Sequence, residues 1–205
     1  MKYFFSIILF FSFNYAQFDW AENGIPVRQG YHIEWQRGGD IGEDGKMIIV
    51  WSDTHTGTRD VYAQKIDGSG NILWNINGVL IAGGSSRQED PIFISDNSGG
   101  GFISWRDYEN DSDYGELYAQ HIDTNGNLGW ETAQLISSDI NIRSESLQNM
   151  CSDKDGGVYV TWYEDLIAGS GKYYGTHLQG DGSFVGPALL IDTEESYNNV
   201  SLESA

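Results

Sequence analysis

Short runs of apolar or alternating apolar and polar residues, bounded by turns rich in Asp, Asn and Gly, follow one another along most of the chain. None sustains helical periodicity between caps, so the pattern predicts strands and turns throughout. Lys46 to Trp51, Gly101 to Trp105 and Val158 to Trp162 read as strands. Each follows a turn: Gly42-Glu43-Asp44-Gly45, then Ser95-Asp96-Asn97-Ser98-Gly99-Gly100, then Ser152-Asp153-Lys154-Asp155-Gly156-Gly157. In such turns Asp and Asn accept local backbone hydrogen bonds while Gly takes positive φ. Further strands are expected at Gln148 to Ser152, Ile72 to Trp74, Leu128 to Trp130, Val79 to Ala82, Gln134 to Ser137 and Leu189 to Asp192.

The strands belong to a repeat. Tyr62-Ala63-Gln64, Gly70-Asn71 and Trp74 return as Tyr118-Ala119-Gln120, Gly126-Asn127 and Trp130, and in weaker form as Tyr174-Gly175-Thr176 and Gly182. Tyr62, Tyr118 and Tyr174 stand 56 residues apart, as do Gly70, Gly126 and Gly182. Such a period, with four short antiparallel strands per unit, is the content of a propeller blade. The fold class is therefore all-β: a propeller-like array of about three full repeats, at approximately 36–91, 92–147 and 148–199, with partial units at both ends. Trp20-Ala21-Glu22-Asn23-Gly24-Ile25 matches Trp74-Asn75-Ile76-Asn77-Gly78-Val79, and Val200 to Ala205 reads as a first strand. The array is thus expected to be incomplete as given and part of a longer chain. The loops at Thr54 to Asp60, Tyr108 to Glu116 and Asp165 to Lys172 absorb the length differences between copies. Variation confined to one loop per unit marks one surface, often the binding surface.

The runs Trp51-Ser52-Asp53, Asp60-Val61-Tyr62-Ala63-Gln64-Lys65-Ile66-Asp67 and Gly70-Asn71-Ile72-Leu73-Trp74 resemble the "DIYAQ…D.GN..W" repeats of large secreted bacterial proteins. That resemblance covers residues 17–205 and implies propeller-like blades in an exported bacterial protein; it implies no activity. The Asp67 to Trp74 turn also resembles the Asp-box of sialidase-type propellers, but its spacing departs, and no sialidase activity is carried over.

Residues 1–16 read as a signal peptide, with Lys2 before the apolar run Tyr3 to Phe13 and Ala16 at the cut. The run is short of the roughly 20 residues a membrane span needs, so the mature chain is expected in the periplasm, at the cell surface or outside the cell. Thirty Asp and Glu against eleven Lys and Arg exclude a phosphate-binding surface, hence no nucleic-acid partner is expected. Seven Trp, twelve Tyr and nine Phe supply ample apolar area, which excludes a disordered acidic tail.

The chemistry is sparse. The repeat places Asp53, Asp107 and Asp165 after the strand-ending Trp residues, where they could act as paired carboxylates in glycoside hydrolysis. A residue recurring in every unit is better explained as a cap of its own turn. Asp107, Glu109, Asp111 and Asp113 form an acidic loop and are the candidate Ca²⁺ ligands; no other cofactor is expected. The turn Asp123-Thr124-Asn125-Gly126-Asn127 is explained by turn-making alone. His121 and His177 occupy the slot of Lys65 and read as exposed; His32 and His55 stand alone. Cys151 occupies the slot of Ile94 and reads as buried core. Tyr62, Tyr118, Trp51, Trp105 and Trp162 read as packing residues ahead of a sugar-stacking platform. The expected function is a non-catalytic exported module, binding a glycan or protein or acting as a scaffold. The alternative is an extracellular carbohydrate-active propeller enzyme.

Overall fold

The computed structural model describes residues 24, 26–28, 34–109, 115–137, 149–165 and 171–193. Three four-stranded antiparallel sheets make up these residues. The first joins β1 (Glu34–Ile41), β2 (Met47–Asp53), β3 (Asp60–Ile66) and β4 (Val79–Ala82). The second joins β5 (Gln88–Ser95), β6 (Gly101–Asp107), β7 (Glu116–Ile122) and β8 (Gln134–Ser137). The third joins β9 (Asn149–Ser152), β10 (Val158–Asp165), β11 (Gly171–Leu178) and β12 (Leu189–Thr193). In each, neighbours in sequence are neighbours in the sheet, as tight turns between antiparallel strands require. Among the described residues no helix is long and apolar enough to cross a membrane.

Each sheet carries the same cross-strand aromatic pair. Trp51 lies directly opposite Tyr62, Trp105 opposite Tyr118 and Trp162 opposite Tyr174. Their rings stack at 6.0, 6.1 and 5.6 Å between centroids. Such pairs add roughly 0.2–1 kcal/mol to a sheet beyond burial. A bulge then interrupts the pairing of the third and fourth strands at the same place, between Val61 and Tyr62, Leu117 and Tyr118, and Tyr173 and Tyr174.

The segments Ile72 to Trp74 and Leu128 to Trp130 are not strands, contrary to expectation. Each makes a single bridge, Ile66 to Ile72 and Ile122 to Leu128. A side chain takes over where the ladder stops. Gln120 accepts from the backbone of Trp130 at 3.1 Å and of His121 at 2.9 Å, and donates to the Trp130 carbonyl at 3.2 Å. Gln64 repeats the pattern with Trp74, Lys65 and Asn75. An amide with both a donor and an acceptor end imitates one residue of a strand. The third copy has Thr176 in this slot; its buried hydroxyl finds no partner among the described residues.

The sheets pack against one another, with β5 lying against β1 and β2 of the first sheet and against β9 of the third. Ile48 and Val50 of the first sheet pack with Phe93, Ile103 and Trp105 of the second. Phe102, Leu117, Ala119 and Trp130 of the second pack with Met150, Val158, Val160 and Trp162 of the third. Trp74 and Trp130 reach across to the next sheet, donating their indole N–H to Thr124 O at 3.1 Å and Gly180 O at 2.8 Å. Their rings lie over Gly126 and Gly182, whose φ values of +86° and +85° favour glycine; a Cβ there would sit 3.1 and 2.9 Å from the ring.

Lys65 forms a second bridge between sheets. It is buried, pairs with Asp44 at 3.0 Å, and donates to Gly99 O at 2.5 Å and Thr124 Oγ1 at 3.1 Å of the second sheet. The His residues in its slot are half-buried rather than exposed. His121 meets Asp96 at 2.8 Å and His177 meets Asp153 at 2.7 Å. The repeat preserves a cation-capable group facing a turn carboxylate, and a group so engaged is drawn inward. Cys151 is exposed, not core. It pairs with Tyr159 on the face of the third sheet that no other described sheet covers, whereas Ile94 packs against the third sheet.

Two outcomes follow. Gln120→Leu leaves three backbone groups without their partner, at about 1–3 kcal/mol for each buried one; urea denaturation should show a loss of at least that size, and a change under about 0.5 kcal/mol would remove the strand-substitute role. The second concerns acid. Asn71 and Ser183 hydrogen bonds lower the Asp67 and Asp181 pKa values. Burial raises those of Asp96, Asp123 and Asp153, but hydrogen bonds from their turns and from His121 or His177 more than offset it. Burial likewise opposes Lys65 and Lys46 at Asp44, and the lysines prevail, holding it at about 2. A depressed folded-state pKa stabilises the fold above the unfolded value near 3.9 and ceases to do so as pH falls through the folded value. The carboxylate contribution should therefore be constant above about pH 5 and disappear between about pH 4 and 2. Thermal melts across this range should show the fall, and an Asp67→Asn, Asp123→Asn double variant should show less of it.

Candidate functional site

Antiparallel connections put the turns of all three sheets at one end, and the strand ends that flank the variable loops, Asp53 with Asp60, Asp107 with Glu116 and Asp165 with Gly171, at the other. The turn end is uniform. Asp67 accepts from Ser69 N and Asn71 N, both at 2.9 Å, and Asp123 from Asn125 N and Asn127 N, both at 2.8 Å. Asp96 and Asp153 accept from two backbone amides each in the same way. These carboxylates are consumed by their own turns. A 560 Å³ hollow beside Asp153, His177 and Asp181 lies at this end of the third sheet.

At the loop end each sheet sets an acid two residues beyond its Trp, and the three have diverged. Asp53 is buried, accepts from the Trp51 indole N–H at 3.3 Å and the His55 amide at 2.8 Å, and forms an ion pair with the Arg28 guanidinium at 3.0 Å. His55 Nδ1 lies 2.6 Å from the same carboxylate, and its Nε2 lies 3.3 Å from the Tyr62 hydroxyl. Burial pushes the Asp53 pKa up, but His55, Trp51 and Arg28 draw it below the ordinary carboxylate value. Burial and the charges of Asp60 and Asp53 push the Tyr62 phenol up to about 12, so it stays protonated at neutral pH. The sequence left His55 isolated; the chain's reversal at Thr54-Gly57 supplies its partners.

In the third sheet the position belongs to Glu164, not to Asp165. Its carboxylate accepts from Trp162 Nε1 at 2.9 Å and Ser137 Oγ at 3.2 Å. The second sheet differs again. Asp107 accepts from the Glu109 amide at 2.9 Å and Gln88 Nε2 at 3.2 Å, and the Trp105 indole N–H, though buried, has no partner among the described residues. Asp107 thus serves its own sheet and loop, Asp53 also holds Arg28, and Glu164 ties the third sheet to Ser137 of the second.

Between the first and second sheets lies a cleft of 410 Å³. Leu80, Ala82 and Gly83 wall it on one side, Trp105, Tyr118 and Leu128 on the other, and Asp107 and Glu109 also line it. Beside it, Arg59 and Arg87 pair with Glu89, and the Arg87 guanidinium stacks 3.8 Å from the Tyr108 ring centroid. Of the expected Ca²⁺ ligands, Asp107 and Glu109 come to this cleft; Asp111 and Asp113 lie outside the described residues, as does His32. Among the described residues, no three His, Cys, Asp or Glu side chains are grouped as a metal site. The cleft escaped sequence reasoning because its two walls lie in different repeats.

No protein-family model matches the sequence, and neither does any curated protein. Among solved structures the chain is similar to an endo-arabinase from Bacteroides thetaiotaomicron VPI-5482, with a TM-score of 0.53 and 15% identity. The match covers 79% of this chain and 62% of that one, so the chain spans less than two thirds of the enzyme's length. At that identity the likeness is one of fold: this is an all-β chain of stacked, propeller-like four-stranded sheets.

Proposed function

We propose that the protein is an exported, non-catalytic repeat module that binds a glycan or protein partner, at the cell surface or outside the cell, through the loop end of its sheets. The observation that carries this reading is the contrast between the two ends. Turn-end carboxylates recur and are spent on backbone amides, while the loop end differs from copy to copy, and the departures at Trp105, Asp107 and Glu109 line one cleft. A recurring acid that bonds its own Trp or its own loop is occupied by the fold and is a poor general acid or nucleophile.

The second reading is a carbohydrate-active enzyme. It is favoured by the endo-arabinase likeness and by Asp107 and Glu109 lining the cleft. The mature chain should be tested against immobilised plant and bacterial polysaccharides, arabinan included, with binding and release of reducing sugar measured together. Binding without release is expected. Charge reversal at the loop end, by Arg87→Glu or Glu109→Lys, should weaken binding at least tenfold, equivalent to about 1.4 kcal/mol. Lys154→Glu at the turn end should leave affinity within about twofold. Sugar release that Asp107→Asn abolishes would establish the enzyme reading instead. Sensitivity confined to the turn end would defeat both.

A further inference from the structure

The cleft between the first two sheets contains hydrogen-bonding groups that the fold leaves unused. Trp51 and Trp162 donate their indole N–H to the acid two residues on, at 3.3 and 2.9 Å. Trp105 stands at the same position of its sheet, is 2% exposed, lines the cleft, and has no acceptor among the described residues. The reason is local: the corresponding acid, Asp107, has turned to Gln88 Nε2 and the Glu109 amide. Gln88 is itself fully buried, and its Oε1 likewise has no donor. An unpaired buried polar group costs about 1–3 kcal/mol, so the Trp105 N–H, on a residue that lines the opening, marks a site awaiting a polar acceptor.

We infer that this cleft binds a neutral saccharide, a mono- or disaccharide unit entering between Leu80 to Gly83 and the Trp105–Tyr118 wall. The inference rests on the loop-end reading above and narrows it to one cleft and one chemistry. The unused groups choose the ligand. An indole N–H needs an acceptor, and the Glu109 carboxylate and the Asp107 Oδ2, since Gln88 and the Glu109 amide both bond Oδ1, can take donors. A hydroxyl serves both at once, since it accepts and donates. An ammonium cannot accept from Trp105. A carboxylate cannot donate, and a carboxylate or phosphate meets two acids on a chain of formal net charge −19. The apolar walls of Leu80, Ala82 and Leu128 suit the C–H face of a sugar ring, and stacked Tyr118 adds aromatic surface. A volume of 410 Å³ falls at the small end of ligand pockets, roughly 300–1,000 Å³.

The test follows the indole itself. In ¹⁵N spectra of the mature chain, Trp105→Phe identifies which indole N–H signal belongs to Trp105. The wild-type protein is then titrated with cellobiose, xylobiose, maltose and N-acetylglucosamine, with spermidine and inorganic phosphate as the cationic and anionic comparisons. At least one neutral sugar should shift the Trp105 signal saturably, and spermidine and phosphate should leave it in place. Glu109→Gln, at an exposed position, should weaken the sugar response at least fivefold without changing the melting temperature. A Trp105 signal that no sugar moves, or that spermidine moves saturably, overturns the assignment; the first result means that the N–H serves a water molecule only. If polysaccharide binding by the whole protein survives Trp105→Phe, the cleft assignment fails while the loop-end reading stands. If Trp105→Phe does not fold, the wild-type titration and Glu109→Gln decide the question.

Discussion

A sheet that is apolar on both faces has no stable existence by itself in water, and this constraint governs the whole chain. Ile48 and Val50 need Phe93, Ile103 and Trp105; Phe102 and Leu117 need Val158, Val160 and Trp162. Each strand therefore divides its residues between two neighbours, and the repeat is the sequence record of that division. Where a described neighbour is lacking the consequence is direct. Tyr159 holds the place in the third sheet that Phe102 holds in the second, yet it is 48% exposed where Phe102 is fully buried. Cys151, paired with it, shares the same open face.

The strands that carry the aromatic pairs were legible because both their period and their turns are local signals. Val79 to Ala82 and Gln134 to Ser137 were found for the same reason. Ile72 to Trp74 was misread because apolar content says nothing about which group satisfies the backbone; that group is the Gln64 amide, ten residues upstream of Trp74. The slot of Lys65, His121 and His177 was misjudged for a related reason. Alternation assigns a face, but burial depends on Asp44, Asp96 and Asp153 in a separate turn. Of the candidate site, the loop end and Asp107 with Glu109 were visible. The unused Trp105 N–H was not, because it arises from a bond that Asp107 makes to Gln88 in the preceding strand.

The two ends of the sheets divide the work between them. At the turn end, Asp carboxylates, Gln64 and Gln120, and the indoles of Trp74 and Trp130 all satisfy backbone groups. Every copy must solve this problem, so the solution repeats with little change. At the loop end the acid after each Trp has three different sets of partners: His55 and Arg28, Gln88 and an amide, and Ser137. Once the far end fixes a sheet against its neighbour, the loop end can diverge without loss of register.

That coupling bears on the cleft itself. The first boundary is held at its turn end by both Trp74 and Lys65, and Lys65 alone reaches two acceptors of the second sheet. His121, in the same slot of the second sheet, is spent on Asp96 of its own sheet; there the crossing hydrogen bond comes from Trp130. A long, flexible ammonium stem spans a gap that an imidazole cannot. At the turn end, the boundary that contains the cleft is therefore the more firmly pinned of the two. A site that must hold Trp105 and Asp107 at a fixed separation from Leu80 and Ala82 gains from this, because pre-set walls leave less ordering to be done when a ligand enters.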